Sequence, residues 1–285
     1  MDSCLMDRRH LRHLQENKKT KDRTGGTAAA VPRVHDTNLK REKMSREFLI
    51  TLAGKEVAFR FHFGGTGMLF RNFERKTLPD GYAGSYLTAD EKAIETYVDE
   101  HHCSMETAEY NCLLTETANF MTEQDCAMFH GVAFLYGEDA YILTAPSGTG
   151  KTTQFRNLRD MYGDRFRIIN GDKPLLGPGP NGQIMVYPSP WNGKEQWGST
   201  EHGPLRGLFL LEQGQENRLE VMDGGEAAVQ ILEQFIYTAP TRKSVHTVCR
   251  MADAMLRNFD LYHFLNKGDY ASSSMLYAKI KGSGE

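Results

Sequence analysis

The sequence predicts an α/β fold, and three adjoining features carry that expectation. An apolar run at 141–144 reads as a strand, the segment Ala145-Pro146-Ser147-Gly148-Thr149-Gly150-Lys151-Thr152 follows it, and a helical pattern at 152–161 leaves it. A strand, a glycine-rich turn and a helix in that order are the setting of a phosphate-binding loop. Gly148 and Gly150 free the backbone to point its N–H groups at an anion, and the positive end of the new helix adds to the attraction. Lys151 is placed to reach the β- and γ-phosphates, and Thr152 to offer a hydroxyl to Mg²⁺. Ser147, Gly148, Thr149, Gly150, Lys151, Thr152 and Thr153 are therefore the candidate nucleotide-binding residues. Ala145 stands where the pattern usually begins with glycine, so the first turn must avoid a positive φ.

The other elements follow in order. Residues 1–46 are polar, rich in Lys and Arg and without apolar periodicity, which predicts a disordered arm; Met44 is a candidate working initiator. Apolar runs at 48–52 and 57–63, with Ala53-Gly54-Lys55 between them, predict a β-hairpin. Helical patterns follow at 89–100 and 105–121, so 47–122 is expected to pack as a hairpin and helices on a nucleotide-binding core at 123–285. Within that core, runs at 131–136 and 140–145 flank Gly137-Glu138-Asp139 and predict a second hairpin. Strand-like runs continue to about Met222, and helices are expected at 226–237, 243–258 and 272–280.

Composition narrows the partners. At 285 residues the chain can bury a substantial core, and a formal net charge of -3 gives no reason to expect nucleic acid. The longest apolar stretches fall far short of the roughly 20 residues that cross a bilayer, so no membrane span is expected. Five cysteines, with no Cys-x-x-Cys pair and no signal peptide read ahead of them, suggest a cytoplasmic home. His101-His102-Cys103 with Cys112 fits no familiar zinc spacing.

Three further places could carry chemistry. A turn centred near Glu138 sets residues whose numbers sum to about 276 opposite each other, which brings His130 beside Pro146 at the mouth of the loop. A histidine there can bind metal, contact phosphate or orient a nucleophile. After the loop's helix, a strand at 166–170 ends in Gly171-Asp172-Lys173-Pro174, where Asp172 is placed to hold the metal or to accept a proton from a hydroxyl. The segment Tyr187-Pro188-Ser189-Pro190-Trp191-Asn192-Gly193-Lys194-Glu195 reads as a loop facing a ligand, with Trp191, Lys194 and Glu195 as candidate substrate contacts, or alternatively as a connection anchored by Trp191. Arg206 could meet an anionic group or lie solvated on the surface. Asn266-Lys267-Gly268-Asp269 spells the Asn-Lys-x-Asp pattern that reads guanine in GTPases, but the Asp-x-x-Gly that should accompany it is missing after 166–170, which argues against a regulatory GTPase.

His130-Gly131, the short hairpin, the Ser147-Gly148-Thr149-Gly150-Lys151-Thr152 loop and Asn170-Gly171-Asp172-Lys173-Pro174-Leu175-Leu176 together resemble the HPr kinase and phosphoenolpyruvate carboxykinase superfamily. The Ser-Pro-Trp-x-Gly-Lys-Glu loop at 189–195 is similar to that of its small bacterial carboxykinase-like members. The resemblance covers roughly 48–280 and implies a mixed central β-sheet flanked by helices around the phosphate loop. It also implies ATP with Mg²⁺ or Mn²⁺, phosphate and metal held by Lys151 and Thr152, Asp172 and His130 lining the transfer site, and the Glu195 loop lying over it. Relatives often carry two adjacent aspartates where this chain has Gly171-Asp172, so metal ligation and base function would have to share Asp172 or recruit another residue. The substrate signature of true HPr kinases is not found, so HPr is not the expected acceptor. A phosphotransferase acting on a hydroxyl of a small molecule or a peptide serine is the primary expectation, and an oligomer is open. A small carboxykinase-like enzyme and a non-catalytic nucleotide-dependent regulatory protein are the alternatives.

Overall fold

The computed structural model describes residues 46–282, so the arm expected at 1–46 lies outside the described residues except for Arg46. The fold is mixed α/β, with a large mixed sheet flanked by helices. It begins with a separate hairpin, β1 (Glu47–Leu52) and β2 (Lys55–Arg60), paired antiparallel. The turn between them is two residues, Ala53 and Gly54, at φ 47° and 76°, where the sequence suggested three. Helices α1 (Glu91–His101) and α2 (Met105–Glu123) follow, capped by the side chains of Asp90 and Ser104 at their N-termini.

The central sheet turns on one long strand. After β3 (Ala127–Phe129), β4 (Val132–Tyr136), β5 (Asp139–Thr144), helix α3 (Lys151–Tyr162), β6 (Phe166–Asn170), β7 (Leu175–Pro178) and β8 (Ile184–Tyr187), the chain enters β9 (Gly203–Gln213). One edge of β9 pairs in parallel with β5, from Ala140↔Leu205 to Thr144↔Leu210. Its other edge pairs first antiparallel with β8 and then parallel with β12 (Leu261–Asn266), ending at Asn266↔Gln213. The result is the order β6-β4-β5-β9-β12, extended by β10 (Arg218–Val221), with an arm β8-β7-β3-β11 leaving from the start of β9; β11 is Phe235–Ile236. Helices α4 (Gly224–Leu232), α5 (Arg242–Asn258) and α6 (Tyr270–Gly282) complete the core.

Alternation along the strands explains the layers. On β4 and β5, Val132, Phe134, Tyr141 and Leu143 point to one face and meet Phe155 and Leu158 of α3 with Leu276 and Ile280 of α6. Ala133, Leu135, Ala140 and Ile142 point to the other and meet α4 and α5 through Ala227, Ile231, Val248 and Met255. Strands buried on both faces must be apolar at every position, which is why 132–135 and 140–143 read as continuous runs rather than alternating ones. Each large side chain so buried contributes roughly 1.5–3 kcal/mol of transfer free energy.

A third apolar cluster joins β1, β2, α1 and α2 to Met128, Leu175 and Trp191. Its polar pin is Glu109 of α2, fully buried, whose carboxylate accepts from the backbone N–H of His62 at 2.5 Å and of Phe63 at 3.2 Å and from the Thr66 hydroxyl at 2.5 Å. Three donors satisfy a charge that would otherwise be costly to bury.

Two sequence expectations are corrected here. The helix expected at 226–237 stops at Leu232, because Phe235 pairs with Phe129 and the Gln234 carbonyl accepts from His130 N–H at 2.9 Å. The β4–β5 register is one residue tighter than expected, with Val132 facing Leu143 and Tyr136 facing Asp139 around a Gly137-Glu138 turn. Among the described residues, no helix is long and apolar enough to cross a membrane.

Candidate functional site

Strands β5, β9 and β12 run parallel, so their carboxyl ends share one edge of the sheet, and the loop Ala145 to Gly150 rises from the middle one of the order β4-β5-β9. Parallel sheets place ligands at that edge. Gly148 and Gly150 adopt φ 85° and 101°, and open space surrounds the position of a Cβ at either. Gly150 caps α3 without any side-chain hydrogen bond, so the first-turn N–H groups of Lys151, Thr152 and Thr153 have no cap from within the helix. The loop holds its own shape, with the Thr149 hydroxyl donating to the Pro146 carbonyl at 2.8 Å.

Lys151 lies beneath the loop at 8% exposure, and its ammonium donates to the carbonyl oxygens of Ala145 at 2.8 Å and Pro146 at 3.3 Å. Burial lowers its pKa to about 8; the Asp172 carboxylate opposes that shift and the Lys173 ammonium adds to it. Lys151 at the start of α3 therefore shares one electrostatic neighbourhood with Asp172 and Lys173 of the turn after β6.

Asp172 is delivered by an asparagine. Asn170, fully buried at the end of β6, accepts from the backbone N–H groups of Asp172 at 2.9 Å and Lys173 at 2.7 Å through its Oδ1, which folds the chain into a tight turn. Its Nδ2 donates to the Ser189 carbonyl at 2.9 Å and meets the Asn192 amide at the same distance. The Asp172 carbonyl in turn accepts from Gly131 N–H at 2.9 Å, so the β3–β4 turn carrying His130 is tied to the β6 turn. The Asp172 carboxylate, 30% exposed, stands 3.1 Å from Lys173 Nζ and 3.6 Å from His130 Nε2. Tyr110 of α2 borders the same place: burial, reinforced by the Asp172 charge, raises its phenol pKa.

The structure thus brings Lys151, Asp172 and His130 together and adds three residues that the sequence reading gave no role: Asn170, Lys173 and Tyr110. Asn170 carried a legible signal, since asparagine two residues before a turn commonly bonds its own backbone. Lys173 carried none, because a lysine before proline reads as a solvated turn residue.

The loop at 189–199 packs against this turn and decides between the two readings of Trp191. Trp191 is 1% exposed, sits edge-on to Phe70 and donates its indole N–H to the Tyr110 carbonyl at 3.2 Å, so it anchors the loop in the core. Lys194 and Glu195 are exposed, with Glu195 reaching to 4.0 Å from Arg156 on α3. Arg206 pairs with Asp139 at 2.9 Å. Leu205 is in register with Ala140, so Arg206 belongs to the far end of β5, roughly 13 Å of strand from Thr144, and not to the site.

Position 171 has no room for a side chain. A Cβ there would lie 2.6 Å from the Asn192 carbonyl oxygen and 3.1 Å from that of Trp197, and Gly171 N–H donates to the Trp197 carbonyl at 2.7 Å. The 189–199 loop closes over the position that a side chain would need.

Among the described residues, no three His, Cys, Asp or Glu side chains gather as a metal cage. Asp172 and Thr152 are oxygen donors, the type that a hard cation such as Mg²⁺ takes beside phosphate and water oxygens.

No family model matches the chain, and no curated protein does. Among solved structures it is similar to the HPr(Ser) kinase/phosphatase from Coxiella burnetii, at 11% identity and a TM-score of 0.30, over 54% of this chain and 93% of that one.

Proposed function

We propose that the chain is an ATP-dependent phosphotransferase acting on a hydroxyl of a small metabolite or of a peptide serine. The observation that supports it is the convergence of Lys151 with Asp172, Lys173 and His130 beside a helix-capping glycine loop at the carboxyl edge of parallel strands. Loop N–H groups and Lys151 would hold the β- and γ-phosphates, and Thr152 and Asp172 would hold the Mg²⁺, or Mn²⁺, that neutralises their charge. In the transfer, the bond from the γ-phosphorus to the β,γ-bridging oxygen breaks, a bond to the acceptor oxygen forms, and the acceptor's proton passes to Asp172. His130 orients the acceptor, and Lys173 supplies a second cation for the oxygens in flight. Products are a phosphate ester and ADP.

The test is a screen of the full chain with Mg·ATP against hydroxylated metabolites and serine peptides, following loss of γ-phosphate and gain of ester. A second reading, a nucleotide-dependent regulatory protein without turnover, is favoured by the 3.1 Å ion pair that already neutralises Asp172. Tight ATP binding with no transfer to any acceptor would select it.

Lys151 gives a sharper check on binding. Replacing it by Ala removes a charge-assisted contact worth about 1.5–3 kcal/mol, so calorimetry should give at least about a tenfold loss of Mg·ATP affinity. A pH series tests the same group. In the free protein Lys151 titrates at about 8, below its ordinary 10.5, and phosphates restore the charged form. The bound state therefore keeps a proton that the free state loses above pH 8, so affinity must fall as pH rises through that window, with proton uptake on binding. Affinity independent of pH from 7 to 10 would place the phosphates away from Lys151.

A further inference from the structure

We propose that the cleft beside the phosphate loop takes the nucleoside end of the nucleotide, and that it accepts adenine and guanine alike. This rests on the phosphotransferase reading of the loop. The cleft, about 570 Å³, has Thr149, Gly150 and Thr153 on one wall and the 213–215 and 266–268 turns on the other.

Strand lengths make that second wall. β5 makes its last pairing with β9 at Thr144↔Leu210, whereas β9 and β12 run on together to Gln213↔Asn266. Three extra residues of strand rise roughly 10 Å past the root of the loop, enough to flank a ribose and base. Hydrogen bonds brace the wall to the loop and its helix: Gln213 Nε2 donates to the Gly148 carbonyl at 3.3 Å, Gln154 Nε2 to Asn266 Oδ1 at 3.0 Å, and Asn157 Nδ2 to the Gly268 carbonyl at 3.2 Å. Sheet order then fixes direction. Asp172 and His130 come from the β6 and β4 side of β5, and the cleft lies on its β9 and β12 side. A nucleotide lying across the loop with its γ-phosphate toward Asp172 must direct its nucleoside into this cleft.

The base tolerance follows from how Asn266-Lys267-Gly268-Asp269 is spent. Asn266 is buried, its Oδ1 taken by Gln154 and by Gly268 N–H at 3.1 Å, its Nδ2 by the Glu212 and Phe264 carbonyls at 3.0 and 3.2 Å. Asp269 Oδ1 caps α6, accepting from Ser272 N–H at 2.8 Å and from Asn217 Nδ2 at 3.0 Å. In place of a fixed asparagine and aspartate, the cleft offers a base the exposed amide of Gln215 and the stem of exposed Lys267. A primary amide presents donor and acceptor side by side and rotates to match either purine edge.

The experiment is calorimetry of the full chain with Mg²⁺ and three probes: ATP, GTP and inorganic tripolyphosphate. ATP and GTP should bind within about fivefold of each other, and each at least about tenfold tighter than tripolyphosphate. In the Gln215→Ala, Lys267→Ala double variant both nucleotides should weaken at least about fivefold while tripolyphosphate is unchanged. Tripolyphosphate binding as tightly as ATP, or a variant that leaves the nucleotides unchanged or weakens all three probes alike, would overturn the nucleoside assignment. A preference of about 100-fold for one purine would overturn the tolerance alone. Binding of none of the three would mean that the phosphate-loop reading itself has failed, and the cleft assignment with it.

Discussion

Asp172→Asn is expected to lower turnover by at least about 100-fold, the scale of losing acid–base assistance, while ATP affinity changes by only a few-fold. The change keeps the size of the side chain, and the Asn170 amide that shapes the turn bonds backbone N–H groups rather than the carboxylate, so the fold of the turn should persist. What disappears is the negative charge that, on the proposed reading, would hold a cation or take a proton. Ground-state binding would then rely mainly on the loop backbone, Lys151 and Thr152, which lie on other elements. Losing the Asp172 charge also removes the partner of Lys173 and the support that Asp172 gives the charged form of Lys151, so a modest shift in affinity accompanies the larger loss of rate. His130→Ala should fall on the same side. Single-turnover transfer to the acceptor found by screening, measured beside nucleotide titration, separates the two effects. Activity that survives Asp172→Asn would remove this carboxylate from the chemistry.

The parts of this site that the sequence displayed are those fixed by local backbone rules. Glycine at two positive φ angles, a lysine and a threonine entering a helix, and an apolar run ahead of them need only neighbouring residues to be recognised. His130 came within one residue of its true register because a two-residue turn leaves little freedom in how two short strands pair. Asp172 was legible as the end of a strand. What stayed open or unseen has a different cause. Trp191 suits either a ligand or a core and Arg206 either an anion or open solvent, and only the packing of Phe70 and Tyr110 around one, and the strand register of the other, decides between the readings. Lys173 became visible only when the Asn170 turn folded it against Asp172. The two-residue strand at Phe235–Ile236 is a tertiary pairing inside a sequence with helical pattern, and no local preference encodes it.

Gly171→Asp, which would set a second aspartate beside Asp172, is expected to destabilise the protein by more than about 3 kcal/mol and to leave turnover no higher. The steric part comes first. Even an alanine Cβ would meet the Asn192 carbonyl oxygen at 2.6 Å and the Trp197 carbonyl oxygen at 3.1 Å, and both belong to backbone that cannot swing aside like a flexible side chain. Relief requires moving the 189–199 loop, which is held by Trp191 in the core and by the Ser189 hydroxyl donating to the Lys173 carbonyl at 2.5 Å. Forcing that movement costs about 1–3 kcal/mol, the range for overpacking. A carboxylate adds a second penalty, since it would bring negative charge to a position bordered by two carbonyl oxygens. Gly171→Ala therefore serves as the steric control, expected at about 1–3 kcal/mol, with the aspartate variant clearly beyond it. Urea denaturation of both variants beside the unmodified chain gives the comparison. Equal stability for all three would mean that the loop yields freely, and a gain in turnover for Gly171→Asp would mean that a second carboxylate can be seated beside Asp172 after all.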